Sequence, residues 1–288
     1  MTDIINSTEN TNAEDPNQEE LEKQEITQVY PHRLVIVTGD KGGVGKSTFA
    51  RGLVQTYLDN NKTFIGFDAD SSNSQLLRFY GHFCHIEPLD IFRKGKIDQF
   101  FDRLKNITNP EADQYGHPPQ PESLILLELP PQSRRILQKF MEEMNFLEIA
   151  QKDYGVRVTM VVVISRVIDS INQLIDLYSF CGNQADYVVV KNLFFGESDE
   201  FTRYEKSPKI QAIKDELKSE KIPFVDITMP ELISHAYDYI DENSITFQQG
   251  SEQKDIPSVR ARVISWLGTF KKEIRPVKML LGLDDVEL

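Results

Sequence analysis

Cysteine is nearly missing from this sequence. Only Cys84 and Cys181 occur in 288 residues; they form no CxxC pair, and no disulfide framework can be built from them. That excludes the small disulfide-stapled secreted class and leads to the expectation of a reducing, cytoplasmic setting. Long hydrophobic runs are lacking too. No apolar stretch approaches the roughly 18 residues that cross a membrane, so a membrane is not an expected partner. The N-terminus has neither a basic segment nor an apolar core behind it, so no secretory leader is expected. Basic charge is in short supply, with 32 Lys and Arg against 45 Asp and Glu for a net charge of −13. A balance of that sign excludes a protein that coats nucleic acid with its whole surface.

The deficit is unevenly placed. Residues 1–30 carry eight acids and one lysine, more than half of the net charge, so the bulk value describes a tail more than a domain. That stretch is rich in Asn, Glu, Gln and Thr, poor in apolar residues and without periodicity. It reads as a disordered acidic tail; a short helix near "EELEKQEI" that folds on a partner is the alternative. From residue 31 to 288 the composition is that of a globular domain, in line with the overall apolar fraction of 40% and charged fraction of 27%.

Six short apolar runs punctuate this domain: "LVIV" (34–37), "TFIGFDAD" (63–70), "LILLEL" (124–129), "VTMVVVI" (158–164), "YVVV" (187–190) and "IPFVDI" (222–227). Helical periodicity fills gaps between them, including 133–151 and 168–180, and Ser207-Pro208 reads as an N-cap with Pro at the first helical position. The polar, Pro-rich segment 109–123 reads as a surface loop. Strands this apolar, separated by helices, imply a mainly parallel sheet covered on both faces. The expectation is a single α/β domain.

Between the first strand and the first helix stands "TGDKGGVGKST" (38–48). The common phosphate-loop pattern asks for Gly, four residues, Gly, Lys and Ser or Thr; here Asp40 occupies the first glycine position and Lys41 is an added cation. The context still suits an anion, because a helix N-terminus offers unpaired N–H groups and a partial positive charge. Gly42, Gly43 and Gly45 allow the backbone around Val44 to curl so that amides face phosphate oxygens. Lys46 is placed to reach β and γ phosphates, Ser47 to put its hydroxyl on Mg²⁺, and Thr48 to donate to an α-phosphate.

The string Lys41-Gly42-Gly43-Val44-Gly45-Lys46-Ser47 resembles the deviant Walker A loop of the ParA/MinD family of P-loop ATPases, which does not need the first glycine. The resemblance spans residues 33–270. It implies ATP and Mg²⁺ as ligands, a homodimer formed around ATP, and a role for Lys41 in touching the partner subunit's nucleotide. By the same resemblance, "FDAD" matches the family's switch strand, with Asp70 positioning the attacking water and Asp68 assisting near Mg²⁺. "LILLELPP" resembles the Walker B strand, but Glu128 stands where the family has Asp. One extra methylene displaces the carboxylate by ~1 Å, and catalysis is sensitive to such shifts, so slow hydrolysis is expected. In "YVVVKNLFFG", Asn192 matches the strand-end Asn that contacts adenine; a polar residue closing a strand is the plainer reading. "ITMPELISHAYDYI" resembles the proline-containing loop near the base. The segments "VVVKNLFFG", "FTRYEKSP" and "MPEL" look most like a branch from conjugative plasmids described as mobilisation or plasmid-stability ATPases.

His82, Cys84 and His85 lack the second ligand pair a structural zinc site wants and read as a plain loop. Near the C-terminus, Val259, Val263, Trp266, Leu267, Phe270 and Ile274 form an apolar helical stripe, beside Arg260, Arg262, Lys271, Lys272, Arg275 and Lys278. Two readings stay open for it: a helix packed on the sheet with a solvated basic face, or a patch that binds DNA backbone in a dimer; a membrane-targeting helix ranks third, because the acidic "GLDDVEL" follows it. The favoured function is an ATP- and Mg²⁺-dependent switch that recruits a partner or activator protein, with catalytic roles for Lys41, Lys46 and Asp70. A nucleotide-gated scaffold that does not turn over, and a small-molecule kinase or ligase on the same fold, are the alternatives.

Overall fold

The computed structural model describes residues 30–39, 41–112 and 121–288. The tail expectation therefore lies outside the described residues except at Tyr30, as do Asp40 and residues 113–120 of the Pro-rich loop. Seven strands, β1 (His32–Thr38), β2 (Ile65–Asp68), β3 (Ile86–Pro88), β4 (Leu124–Glu128), β5 (Val156–Ile164), β6 (Ala185–Asn192) and β7 (Phe224–Met229), form one sheet in the order β3-β2-β4-β1-β5-β6-β7. Every pairing is parallel.

Period-two alternation splits the strand side chains between two cores. Leu34 and Ile36 of β1, with Ile125 and Leu127 of β4, face one cluster; Val35 and Val37, with Leu124 and Leu126, face the other. Both clusters are covered by helices, which is why both sets of positions are apolar. The second face receives α1 (Lys46–Asp59) and α2 (Gln75–Tyr80). The first face receives α3 (Lys96–Thr108), α4 (Arg134–Glu143), α5 (Phe146–Tyr154), α6 (Ile168–Cys181), α7 (Thr202–Glu205) and α8 (Pro208–Ser219). The second is completed by α9 (Ser234–Asn243), α10 (Phe247–Ser251) and α11 (Pro257–Ile274).

Two elements differ from the sequence reading. The single helix expected over 133–151 is broken at Asn145, which adopts φ 48°, a left-handed conformation that Asn tolerates. The break brings the rings of Phe140 and Phe146 to 4.3 Å between centroids, a packing gain that continuous helix would forgo. Strand β3 falls in the "GHFCHIEP" segment read as a plain loop. It has three residues, pairs with β2 and ends on Pro88, a residue suited to an edge. Elsewhere the details agree: Ser207 Oγ accepts from the Ile210 amide and Pro208 opens α8.

The stripe on α11 packs inward. Val259, Val263, Trp266, Phe270 and Ile274 are buried, and Trp266 stacks on both Phe247 and Phe270. Gly52 makes this close approach of α1 and α11 possible. A Cβ there would stand 2.9 Å from both Phe270 Cζ and Trp266 Cη2. Alanine normally favours a helix over glycine by about 1 kcal/mol. At this position overpacking against stacked rings wins, and Gly52→Ala is expected to destabilise the fold by about 1–3 kcal/mol, read as a lower urea midpoint at unchanged slope. An equal or higher midpoint would show that the rings give way.

Candidate functional site

The sheet reverses its winding about β1: the chain moves out to β2 and β3 on one side, returns through β4, then builds β5 to β7 on the other. In parallel α/β sheets the crevice beyond the strand C-termini at such a point is where ligands sit. Here it holds the loop between β1 and α1. Gly43 and Gly45 take φ 75° and 103°, conformations open to glycine and strained for other residues. At Gly45 there is a second restriction. An added Cβ would run into the Asn192 side-chain amide and lie 2.9 Å from Met229 Cε.

Beside this loop lies a cavity of about 590 Å³, large enough for a nucleotide. Gly42, Gly43, Gly45, Lys46, Ser47 and Thr48 line one side, Asp70, Ser72, Asn73 and Gln75 another. Asn192, Phe194, Met229, Pro230, Glu231, Leu232, Ser234, Tyr237 and Asp238 complete the wall. Lys46 is buried, and its Nζ donates to the Lys41 carbonyl at 3.2 Å. The Lys41 side chain is exposed. It lines a smaller cavity of about 330 Å³ on the other flank of the loop, with Val44, Ser165, Arg166, Val167, Phe194 and Phe195.

Glu128 lies behind Ser47. It is 1% exposed, and Ser47 Oγ donates to its Oε1, while Oε2 is buried with no hydrogen-bond partner among the described residues. Burial pushes its carboxyl up to about 8; Asp68 adds to the rise, while Ser47 and Lys46 oppose it. A buried carboxyl oxygen without a partner beside a serine hydroxyl fits, once its proton is displaced, a hard cation such as Mg²⁺, which takes oxygen ligands and keeps several waters and phosphate oxygens of its own. Ser47 and Glu128 are the residues that would hold it. Among the described residues, no group of three or more His, Cys, Asp and Glu gathers as a self-sufficient metal site.

Asp68 and Asp70 have separate surroundings. Asp68 is buried, and both its oxygens accept backbone amides: Oδ1 from Asp70 at 3.1 Å and Oδ2 from Leu77 at 3.0 Å. Burial raises its pKa against those hydrogen bonds. These bonds tie the loop after β2 and the first turn of α2 to the end of β2. Asp70 lines the large cavity, with Oδ1 accepting from the Ser72 amide and hydroxyl. Asn192 is engaged at both ends of its amide. Nδ2 donates to the Val44 carbonyl at 2.8 Å, and Oδ1 accepts from Phe194 N at 3.1 Å. It therefore couples β6 to the phosphate loop as well as facing the cavity.

The sequence reading did not single out Gln75, Phe194, Glu231, Tyr237 or Asp238. The last three lie in the quoted "ITMPELISHAYDYI" segment, where the proline signalled a turn but nothing ranked the side chains that follow. Of the basic C-terminal residues, Arg260, Arg262 and Lys272 are exposed, whereas Lys271 pairs with Asp59 at 2.6 Å. No helix among the described residues is long and apolar enough to cross a membrane.

Residues 35–239 match the model of the CobQ/CobB/MinD/ParA nucleotide binding domain. The chain is 22% identical over 246 residues to protein MobD of Acidithiobacillus ferrooxidans, covering 85% of this chain and 97% of that one. Among solved structures it is similar to MinD in the MinC:MinD cell division complex of Aquifex aeolicus, at 17% identity with a TM-score of 0.43, covering 84% of this chain and 96% of the other. It is also similar to a nucleotide-binding protein in complex with ADP from Archaeoglobus fulgidus, at 15% identity and a TM-score of 0.43, covering 74% and 87%.

Proposed function

Because the chain belongs to the CobQ/CobB/MinD/ParA nucleotide-binding family, we propose that it is an ATP- and Mg²⁺-binding switch that dimerises around ATP and resets by slow hydrolysis. The loop amides, Lys46, Ser47 and Thr48 bind the phosphates, Asn192 contacts the adenine from its place beside the loop, and Asp70 positions water. Ser47 and Glu128, with Asp68 assisting, would hold Mg²⁺, which would supply charge neutralisation at the phosphates. The observation that carries this reading is the placement of Lys41. Its side chain is exposed and lines the outer flank of the loop, not the nucleotide cavity. A lysine so placed acts on phosphate charge only when a second subunit approaches, which makes ATP and a symmetric dimer mutually dependent.

A second reading, a nucleotide-gated scaffold with little turnover, is favoured by Glu128 alone. Its longer side chain and raised pKa leave the carboxyl protonated near neutrality in the ligand-free protein. Phosphate release with and without a candidate activator protein separates the two. We place the process in plasmid partition, mobilisation or cargo positioning in the cytoplasm, with DNA backbone contact through Arg260, Arg262, Lys271 and Lys272 in the dimer; two copies would sum their charge, and binding would weaken steeply with salt. The experiment that tests the switch is molar mass by light scattering with ADP and with a slowly hydrolysed ATP analogue. A monomer with ADP and a dimer with the analogue, lost in Lys41→Ala, is expected. Monomers under both conditions would overturn it.

A further inference from the structure

Arg51 is the largest fully buried side chain among the described residues. It lies on α1 one turn beyond Ser47, and neither Nε nor Nη2 has a hydrogen-bond partner among the described residues. Its guanidinium is held between aromatic faces, 3.5 Å from the Phe79 ring centroid and 5.0 Å from that of Phe247. Its one hydrogen bond among the described residues is long: Nη1 donates to Gln75 Oε1 at 3.5 Å. Burial lowers its pKa, against the opposing influence of Tyr80, Tyr237, Asp241 and Glu128. The two rings attract the cation but give Nε and Nη2 no acceptor, and replacing buried ionic groups by apolar ones of like volume is often neutral or stabilising.

The slot is rigid. Gln55 Oε1 accepts from Tyr80 at 3.2 Å and from the Gln248 amide at 3.0 Å, and Phe247 N donates to the Tyr80 hydroxyl at 3.3 Å. These bonds lock α2 and α10 against α1, and with them the two rings that clamp Arg51. Gln75, in turn, lines the large cavity. An arginine can only donate, so only the carbonyl end of the Gln75 amide, which accepts from Nη1, can face it. The NH₂ end is thereby assigned to the other side.

We propose that Arg51 is a positioning residue that orients Gln75 as a hydrogen-bond donor to a sugar or phosphate oxygen of the bound nucleotide, and that its buried charge is retained for the anion above it. This rests on the nucleotide-binding reading of the cavity. The orphaned cation is then complemented by the phosphates when ligand is bound, and the cost of burying it falls on the empty protein. The two effects have opposite signs, which makes the idea testable.

Arg51→Met, Arg51→Lys, Gln75→Leu and the Met/Leu double variant are compared with the parent by calorimetric titration with a slowly hydrolysed ATP analogue and by ligand-free thermal unfolding. Arg51→Met is expected to unfold at the same or a higher temperature, while binding the analogue roughly tenfold or more weakly, the scale of one charge-assisted hydrogen bond. Gln75→Leu should weaken binding similarly, the double variant no more than the worse single one, and Arg51→Lys should recover part of the loss. Inorganic tripolyphosphate, titrated in parallel, separates phosphate from sugar: a loss shared by both ligands assigns phosphate, and a loss with the ATP analogue alone assigns the sugar. Unchanged affinity in Arg51→Met, or lower stability without an affinity change, would overturn the proposal and leave the nucleotide site standing. A parent protein that does not bind the analogue would overturn both.

Discussion

Lys46→Ala is expected to weaken ATP binding by at least about 100-fold and to abolish any ATP-dependent change in mass, with the ligand-free fold intact. The ammonium is buried at the root of the loop, where its Nζ already reaches back to the Lys41 carbonyl at 3.2 Å. In that position it needs no large rearrangement to meet β and γ phosphate oxygens. Each charge-assisted hydrogen bond contributes about 1.5–3 kcal/mol, and two of them correspond to roughly 10²–10⁴ in affinity. Lys46→Arg should rescue little, because a planar fork does not replace a compact ammonium in a cradle of backbone amides. Titration with a fluorescent ATP analogue measures the loss. Affinity within threefold of the parent would show that the cradle amides and helix N-terminus suffice, and would remove Lys46 from the site.

The second large effect concerns Glu128 and pH. Its carboxyl is held up at about 8 in the folded protein, first by burial and then by Asp68, with Asp70 adding to the rise and Ser47 and Lys46 opposing it. In the unfolded chain it titrates near the ordinary 4.5. Between those values the folded state binds the proton and the unfolded state does not, so stability falls as pH rises. The contribution is fully present below about 4.5 and lost as pH passes through about 8. Glu128→Gln mimics the protonated carboxyl and can still accept from Ser47. It should flatten this part of the profile and, above pH 8, exceed the parent in stability by on the order of 3–5 kcal/mol. Asp68 shifts in the same direction through its own burial, so a smaller slope should remain. Denaturant unfolding from pH 5 to 9, in chelator and without nucleotide, gives the comparison. Parallel profiles for the two proteins would rule out a buried proton at Glu128.

Much of the fold was legible because it is written in short-range patterns. Apolar runs marked six of the seven strands, and their two-sided hydrophobicity implied a parallel sheet with helices on both faces. β3 escaped because an edge strand of three residues, with Ile86 as its one buried side chain, carries no periodic signal. Its existence depends on backbone pairing with β2, which no local window contains. The break at Asn145 escaped for a related reason. Helical periodicity continues on either side, and the contacts that accompany the interruption, Phe140 with Phe146 among them, are tertiary.

The candidate site divides in the same way. A phosphate cradle is a contiguous object: "KGGVGKST" determined it, because glycine torsions, helix start and cation all fall within eight residues. Tertiary structure alone decided which acid shares a hydrogen bond with Ser47, how Asp68 spends both oxygens on backbone amides, and how Asn192 ties β6 to Val44. It also placed Arg51 behind Gln75, joining α1 to α2 across 24 residues of chain. Those facts rest on distance and on what surrounds a buried polar atom, and a sequence records neither. It lists the charges; the fold sets the dielectric and the neighbours that give each charge its energy.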